Sequence, residues 1–305
     1  MTKIFIDGSA GTTGLRIRQR LAGRPDLTLL TLPEESRKDP EARRVALNAA
    51  DIAFLCLPDA AAREAVAMVD NPDTVIIDTS TAHRTAEGWT YGFPELTGTD
   101  AIRSAKRIAN PGCHASGFVA LVAPLVKAGL LDKSVRLTCF SLTGYSGGGK
   151  GMIADYEAED RDPLLGAPRQ YGLTQTHKHL PEMAKVCGLD NDPVFCPIVG
   201  DFYSGMEVTV PLFGCDLKGT IEDIKAAYRT AYTGQLVTFS EENENGFLSA
   251  AALSGKDSMQ VSVSGNPDRI LLTARFDNLG KGASGAAIQN MNIALGLPED
   301  TGLCL

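Results

Sequence analysis

The strand-like run Lys3-Ile4-Phe5-Ile6-Asp7 breaks directly into Gly8-Ser9-Ala10-Gly11-Thr12-Thr13-Gly14, and a helix-like stretch over 15–21 follows without a gap. A G-x-x-G-x-x-G turn between strand and helix restricts the fold more than any other feature of the chain. Glycines there permit a tight turn and let a pyrophosphate approach the backbone at the positive end of the helix. Ser9, Thr12 and Thr13 add hydroxyl donors. A purely structural strand-to-helix turn is the plainer alternative, but the position within an early βαβ unit favours a dinucleotide.

The segments behind this turn repeat its grammar. Residues 27–32, 52–57 and 74–78 are continuous apolar runs, and an alanine-rich helical stretch covers 60–69. Such runs separated by helices build a parallel sheet covered on both faces, and right-handed crossovers make it doubly wound. From about Val135 the pattern changes. Strands are predicted at 135–142, 206–212, 236–239, 259–263 and 270–276, closer together and partly alternating, as in a mixed or antiparallel sheet. Helices are predicted at 152–160, 180–186, 221–232 and 284–295. A length of 305 residues is where one core tends to divide. The expected class is α/β, with a doubly wound Rossmann nucleotide domain first and an α+β domain second.

Composition narrows the partners. With 29 Lys+Arg against 37 Asp+Glu the chain carries a formal charge of −8 and has no basic block. Nucleic acid and anionic membranes are therefore poor partners, and a small-molecule substrate is expected. No apolar run approaches the roughly 18 residues needed to span a bilayer. The N-terminal MTKIFIDGSAG starts a strand at once and shows no signal-peptide core. Seven cysteines, an odd number with no CxxC pair, argue against a disulfide framework or a zinc site. A reducing, cytoplasmic setting is expected, with no metal.

The loop after the second strand, Pro33-Glu34-Glu35-Ser36-Arg37-Lys38, bears on the cofactor. Its acidic residues suit a free ribose hydroxyl, whereas Ser36, Arg37 and Lys38 form a donor group suited to a 2′-phosphate. The donor group favours NADP, although a charged loop is often only solvated surface.

Asn110-Pro111-Gly112-Cys113 precedes an apolar helix running to Lys127. A cysteine at a helix N-terminus feels the positive end of the dipole, which raises its thiolate fraction. Cys56, Cys139, Cys187, Cys196, Cys215 and Cys304 lack this punctuation and are expected as small buried hydrophobes. Cys113 is the expected nucleophile. A thiolate together with a nicotinamide suggests attack on an acyl carbon, a thioester, and hydride passing to or from that carbon. The acid/base must come from four histidines. His177 and His179, in Thr176-His177-Lys178-His179-Leu180-Pro181-Glu182, lie just before a predicted helix. As a pair they suggest a metal site, but no third ligand is nearby in sequence. His177 is taken as the acid/base, with His179 its close rival.

Taken together, these segments resemble N-acetyl-gamma-glutamyl-phosphate reductase, in its shorter form. The resemblance covers nearly the whole chain. Besides the glycine turn and Asn110-Pro111-Gly112-Cys113, it rests on Asp78-Thr79-Ser80-Thr81-Ala82-His83-Arg84, Tyr91-Gly92-Phe93-Pro94-Glu95-Leu96 and Gly144-Tyr145-Ser146-Gly147-Gly148-Gly149-Lys150. The His177 to Glu182 stretch and Asp277-Asn278-Leu279-Gly280-Lys281-Gly282-Ala283-Ser284-Gly285 complete it. It implies NADPH-dependent reduction of an acyl phosphate to N-acetylglutamate semialdehyde in arginine biosynthesis, through a thioester on Cys113, with the acid/base in the His177/His179 segment. It also implies a semialdehyde-dehydrogenase-like fold. An NADP-binding domain over 1–112 is rejoined by a C-terminal helix within 284–305, and a catalytic and oligomerisation domain covers 113–283, in a homodimer or homotetramer. One departure stands out: the family usually has an aromatic residue directly after the cysteine, where this chain has His114, a residue able to tune the thiol.

The remaining matched segments have physical roles to suggest. Ser146, Gly147 and Lys150 suit the departing phosphate. Arg84 suits a bidentate clamp on a substrate carboxylate, and Asn110 belongs with the substrate groups. Asn278, Gly280 and Lys281 lie between the last strand and last helix, placed either to close over the nicotinamide or to serve as a mobile connection. Rival expectations are aspartate-semialdehyde dehydrogenase, which shares the thioester chemistry, and a non-catalytic NADP-binding sensor. A cysteine hydrolase leaves the glycine turn unexplained.

Overall fold

The computed structural model describes all 305 residues, which fall into two compact units, Met1–Gly112 with Ala283–Leu303, and Cys113–Gly282 with Cys304–Leu305. The C-terminal pair joins the second unit through an Asp257 N–H bond to the Cys304 carbonyl, a Cys304 N–H bond to the Asp257 carboxylate and a Lys256 ammonium bond to the Leu305 carbonyl.

In the first unit, β1 (Thr2–Asp7), β2 (Leu27–Leu30), β3 (Ile52–Leu55), β4 (Val75–Asp78), β5 (Thr90–Tyr91) and β6 (Arg107–Ala109) form one six-stranded sheet in the order β2-β1-β3-β4-β6-β5. Every pairing is parallel. Alternation along the strands feeds two cores. Ile4, Ile6, Ile52, Phe54, Ile77 and Ile108 face one side; Phe5, Ala53, Leu55 and Ile76 face the other. Each large side chain so buried contributes about 1.5–3 kcal/mol over its exposed form. The helices are α1 (Thr12–Leu21), α2 (Pro40–Ala49), α3 (Asp59–Ala67), α4 (Pro94–Thr97), α5 (Thr99–Ser104) and, from the far end of the chain, α10 (Gly285–Ala294). Helix α10 is buried all round and brings Ala287, Ile288, Met291 and Ile293 into the first of these cores.

The second unit starts with α6 (Cys113–Lys127) and continues through β7 (Thr138–Gly144), α7 (Gly149–Glu157), β8 (Arg169–Gln170), α8 (Leu180–Cys187), β9 (Val194–Gly200), β10 (Met206–Phe213), α9 (Ile221–Ala231), β11 (Val237–Phe239), β12 (Met259–Asn266) and β13 (Arg269–Phe276). Its sheet runs β11-β12-β13-β10-β7-β9-β8 and is mixed, with β7–β9 and β11–β12 parallel and the rest antiparallel. Helix α6 lies on this sheet so closely that a Cβ at Gly117 would stand 2.5 Å from Val208. Pro124 inside α6 has no N–H for the Ala120 carbonyl, and the Tyr232 hydroxyl donates to that carbonyl instead. Part of the opposite sheet face is open: Phe140, Val194, Phe213 and Leu271 remain 43–65% exposed, whereas Thr273 and Arg275 on the same face are buried. No helix is long and apolar enough to cross a membrane.

Several elements differ from expectation. The strand predicted from Val135 begins at Thr138, because the Val135 N–H closes a turn on Asp132. Helix α2 and strand β9 were not predicted: the apolar residues of α2 are mostly alanines broken by the Arg43-Arg44 pair, and Pro197 interrupts the strand pattern of β9. Cys215 and Cys304 are exposed rather than buried, since one sits in the short turn after β10 and the other in the C-terminal tail.

Candidate active site

The glycine turn has the geometry of a phosphate cradle. Gly8 has φ +87°, and a Cβ there would lie 2.3 Å from the Cys56 carbonyl oxygen. At Gly14 a Cβ would lie 2.4 Å from the Gly8 oxygen. These two glycines are required by the packing of strand, turn and helix. Gly11 is different: it is exposed, and a Cβ would have no neighbour nearer than 3.6 Å. Packing within the chain does not demand a glycine at this position. Helix α1 has no side-chain cap, and the N–H groups of Thr12, Thr13 and Gly14 find no acceptor in the chain. Open donors at the positive end of a ten-residue helix fit a dinucleotide pyrophosphate. Below the turn, Asp7 at the end of β1 is buried against Arg43 of α2, whose Nε and Nη2 both donate to it. Ser36 is half-buried and bonded to the Pro33 carbonyl; Arg37 is exposed and paired with Glu34 at 2.7 Å.

At the carboxyl end of β4, the motif around His83 folds on itself. Asp78 is fully buried and receives Ser80 N–H and O–H bonds, while His83 Nδ1 lies 2.6 Å from its carboxylate and the ring stacks on Trp89. Arg84, expected to grip a carboxylate, donates to the carbonyls of Thr79 and Asn110. Asn110 is itself enclosed, donating to the Ala283 carbonyl and accepting from Asn290. Both residues therefore brace the main chain that runs on to Cys113.

Within the second unit, Cys113 opens α6 and is half-buried. A Cβ on Gly282 would stand 3.1 Å from Cys113 Cβ, so the turn after β13 lies directly against the cysteine. That turn, Gly280–Ser284, is a π-helical turn and not a loose connection. It is wound by Asp277, matched in the sequence but given no role there, whose carboxylate accepts from Leu279 N, Gly280 N, Gly255 N and the Ser204 hydroxyl. Lys281 retains 1% exposure and is enclosed, not poised at a surface. Asn278 is buried too, accepting from Gly205 N and donating to the Ser146 hydroxyl. Ser146 thus points inward, while Gly147 and Lys150 of the same segment are exposed.

His114, His177, His179, Tyr171 and Phe195 form a nest of rings. His114 stands at its centre, with ring centroids 5.2–6.1 Å from the other four. His179 is buried, whereas His177 is half-buried. The His179 N–H donates to His177 Nδ1 at 3.2 Å, so a neutral His177 carries its proton on Nε2. Tyr171 escaped the sequence reading, and no local signal marks it: it is carried here by the two-residue strand β8, which pairs with β9.

Two family models match: the semialdehyde dehydrogenase NAD binding domain over residues 3–105 and the semialdehyde dehydrogenase dimerisation domain over residues 113–278. N-acetyl-gamma-glutamyl-phosphate reductase 2 of Nostoc sp. is 46% identical, with 99% of each chain covered. The N-acetyl-gamma-glutamyl-phosphate reductase of Rhizobium meliloti is 49% identical over 96% of this chain and 98% of that protein. The chain belongs to the N-acetyl-gamma-glutamyl-phosphate reductase family. Among solved structures, aspartate semialdehyde dehydrogenase II of Vibrio cholerae in complex with ASA matches with a TM-score of 0.72 at 16% identity, over 97% of this chain and 98% of that one. That likeness carries the semialdehyde-dehydrogenase fold and nothing about substrate.

Proposed function

We propose that this chain reduces N-acetyl-gamma-glutamyl phosphate to N-acetylglutamate 5-semialdehyde with release of phosphate, using NADPH. The observation that carries this proposal is a half-buried cysteine at a helix start, next to a nest of imidazoles, in a family whose members bear that reductase name. Cys113 attacks the acyl carbon, the acyl–phosphate bond breaks, and a thioester forms with phosphate leaving. Gly8, Gly11, Thr12, Thr13 and Gly14, with Ser36 and Arg37 toward the 2′-phosphate, would hold NADPH, which would supply hydride to the acyl carbon; the carbon–sulfur bond then breaks, releasing the aldehyde and the Cys113 thiolate. His177 gives and takes the proton at Nε2, since Nδ1 is committed to the His179 N–H. Gly147 and Lys150 receive the departing phosphate, and Ser146 holds their loop through Asn278. A second copy of the chain covers the open sheet face of the second unit.

Phosphate-dependent NADP reduction, assayed with N-acetylglutamate semialdehyde beside aspartate semialdehyde, tests the proposal. Turnover is expected with the first aldehyde. Cys113→Ala lowers kcat at least about a thousandfold without changing the circular dichroism spectrum. Turnover with neither aldehyde, or an active Cys113→Ala protein, overturns it.

A further inference from the structure

An imidazole that moves a proton must be held in place, yet His177 is carried by a stretch without regular structure. Residues 173–176, between the end of β8 and the start of α8, are exposed. The Gln175 side chain ties this stretch back to the sheet. Strand β8 pairs with β9 only at Arg169 and Gln170, and the next main-chain bond runs from the Tyr171 N–H to the Pro197 carbonyl. Beyond it no strand covers that edge of β9. Phe195, two residues further along, is 1% exposed, and its main-chain N–H and carbonyl need partners away from water. Gln175 supplies both. Its Nε2 donates to the Phe195 carbonyl at 2.7 Å, and its Oε1 accepts the Phe195 N–H at 2.9 Å, as a peptide group of a paired strand would. Nε2 also donates to the Gly172 carbonyl at 3.3 Å. Turned over, the carboxamide would set its oxygen against the Phe195 carbonyl, so its orientation is fixed. Gln175 has φ +56°, a left-handed conformation that a glutamine adopts only at some cost, and these bonds hold it there.

The residue gripped in this way is also a wall of the seat in which His177 lies. The Phe195 ring stands edge-on to His177, with centroids 5.0 Å apart, and to His114 at 5.2 Å. His114 is itself fixed, since the Ser141 and Tyr171 hydroxyls each lie 2.7 Å from one of its nitrogens. One carboxamide therefore joins the strand that forms the seat to the stretch carrying the ring that occupies it, two residues before that ring. We propose that Gln175 is a positioning residue for His177: by clipping the loop to Phe195 it keeps Nδ1 on the His179 N–H and the proton on Nε2. The proposal rests on the acid/base role given to His177 above, but its first test does not need turnover. Gln175 itself makes or breaks no covalent bond.

Gln175→Met keeps the length of the side chain and removes every bond of the carboxamide. Nitrogen-15 spectra of the histidine rings at about pH 8, where a free imidazole is neutral, give the first readout. The parent is expected to show His177 as a single Nε2–H tautomer, and Gln175→Met to show the Nδ1–H and Nε2–H forms in exchange. The second readout is kinetic. Gln175→Met lowers kcat about tenfold with the KM for NADPH unchanged, within the roughly hundredfold that a misplacement of about 1 Å can cost. In a His177→Asn background the same substitution lowers kcat no further, because the group it positions is gone. Gln175→Glu keeps the acceptor for the Phe195 N–H but loses the donors, and falls between the parent and Gln175→Met in both readouts; it decides where Gln175→Met does not fold. An unchanged tautomer in Gln175→Met, or an undiminished loss of kcat in the His177→Asn background, assigns Gln175 to the sheet edge alone and overturns the proposal. A parent that shows the expected tautomer but turns over neither aldehyde overturns the proposed function and leaves the placement of His177 by Gln175 standing.

Discussion

His177 and His179 show how much a single hydrogen bond decides. Nothing in their spacing separates them, yet the main-chain N–H of His179 occupies Nδ1 of His177 and so places the proton of a neutral, half-buried His177 on Nε2. His177→Asn is expected to lower kcat by a hundredfold or more and to flatten the pH–rate profile, whereas His179→Asn acts mainly through thermal stability. His114 has a different signature. Unfolded, it takes a proton near 6.5; folded, only near 3. Between those values the unfolded chain binds the extra proton, so stability falls as pH drops below about 6.5, by at most about 1.4 kcal/mol per pH unit. Above that range the contribution is constant. Urea denaturation across pH 4–8 checks the slope, which His114→Phe flattens.

At the scale of elements, the glycine turn separates packing from binding. Gly14→Ala drives a Cβ into the Gly8 carbonyl and lowers the melting temperature. Gly11→Ala has room within the protein, so it keeps its melting temperature but raises the Kd for NADPH about tenfold, measurable by fluorescence titration. Equal melting losses in both variants would assign Gly11 to packing alone. The same contrast explains what was legible beforehand. Strands with continuous apolar runs and the turn that must follow β1 announce themselves locally. Helix α2 does not, although Asp39 caps it and Pro40 starts it, because its interior, Glu41-Ala42-Arg43-Arg44-Val45, reads as solvated while Arg43 is in fact buried on Asp7. Strand β9 hides behind Pro197, and β8 consists of two residues whose conformation is set by pairing alone. Cys113 was recognisable from its punctuation. The parts played by Tyr171 and Asp277 were not, since they exist only once distant segments bring Tyr171 to His114 and bring Ser204 and Gly255 to Asp277.

Considered whole, each unit's sheet is finished differently. The parallel sheet is sheathed on both sides, but the mixed sheet leaves Phe140, Val194, Phe213 and Leu271 in solvent. Several exposed apolar side chains on one sheet face suit an association face, in keeping with the dimerisation-domain family match over residues 113–278. Phe140→Glu places a charge at the middle of that face and is expected to yield a species of 32.3 kDa in sedimentation, while the parent chain sediments at a multiple of it. A parent that sediments as a single chain removes the face from consideration.

The placement of α10 has a consequence for how the molecule is made. Ile77, Ile102 and Ile108 share a core with Ala287, Ile288, Met291 and Ile293. The ribosome therefore releases the nucleotide-type unit without its closing helix and must synthesise the entire second unit before supplying it. During that interval the nascent sheet carries an uncovered oily flank, the condition under which holding chaperones are recruited. Truncation before Gly285, however conservative in the count of residues lost, leaves the oldest part of the chain permanently in that state.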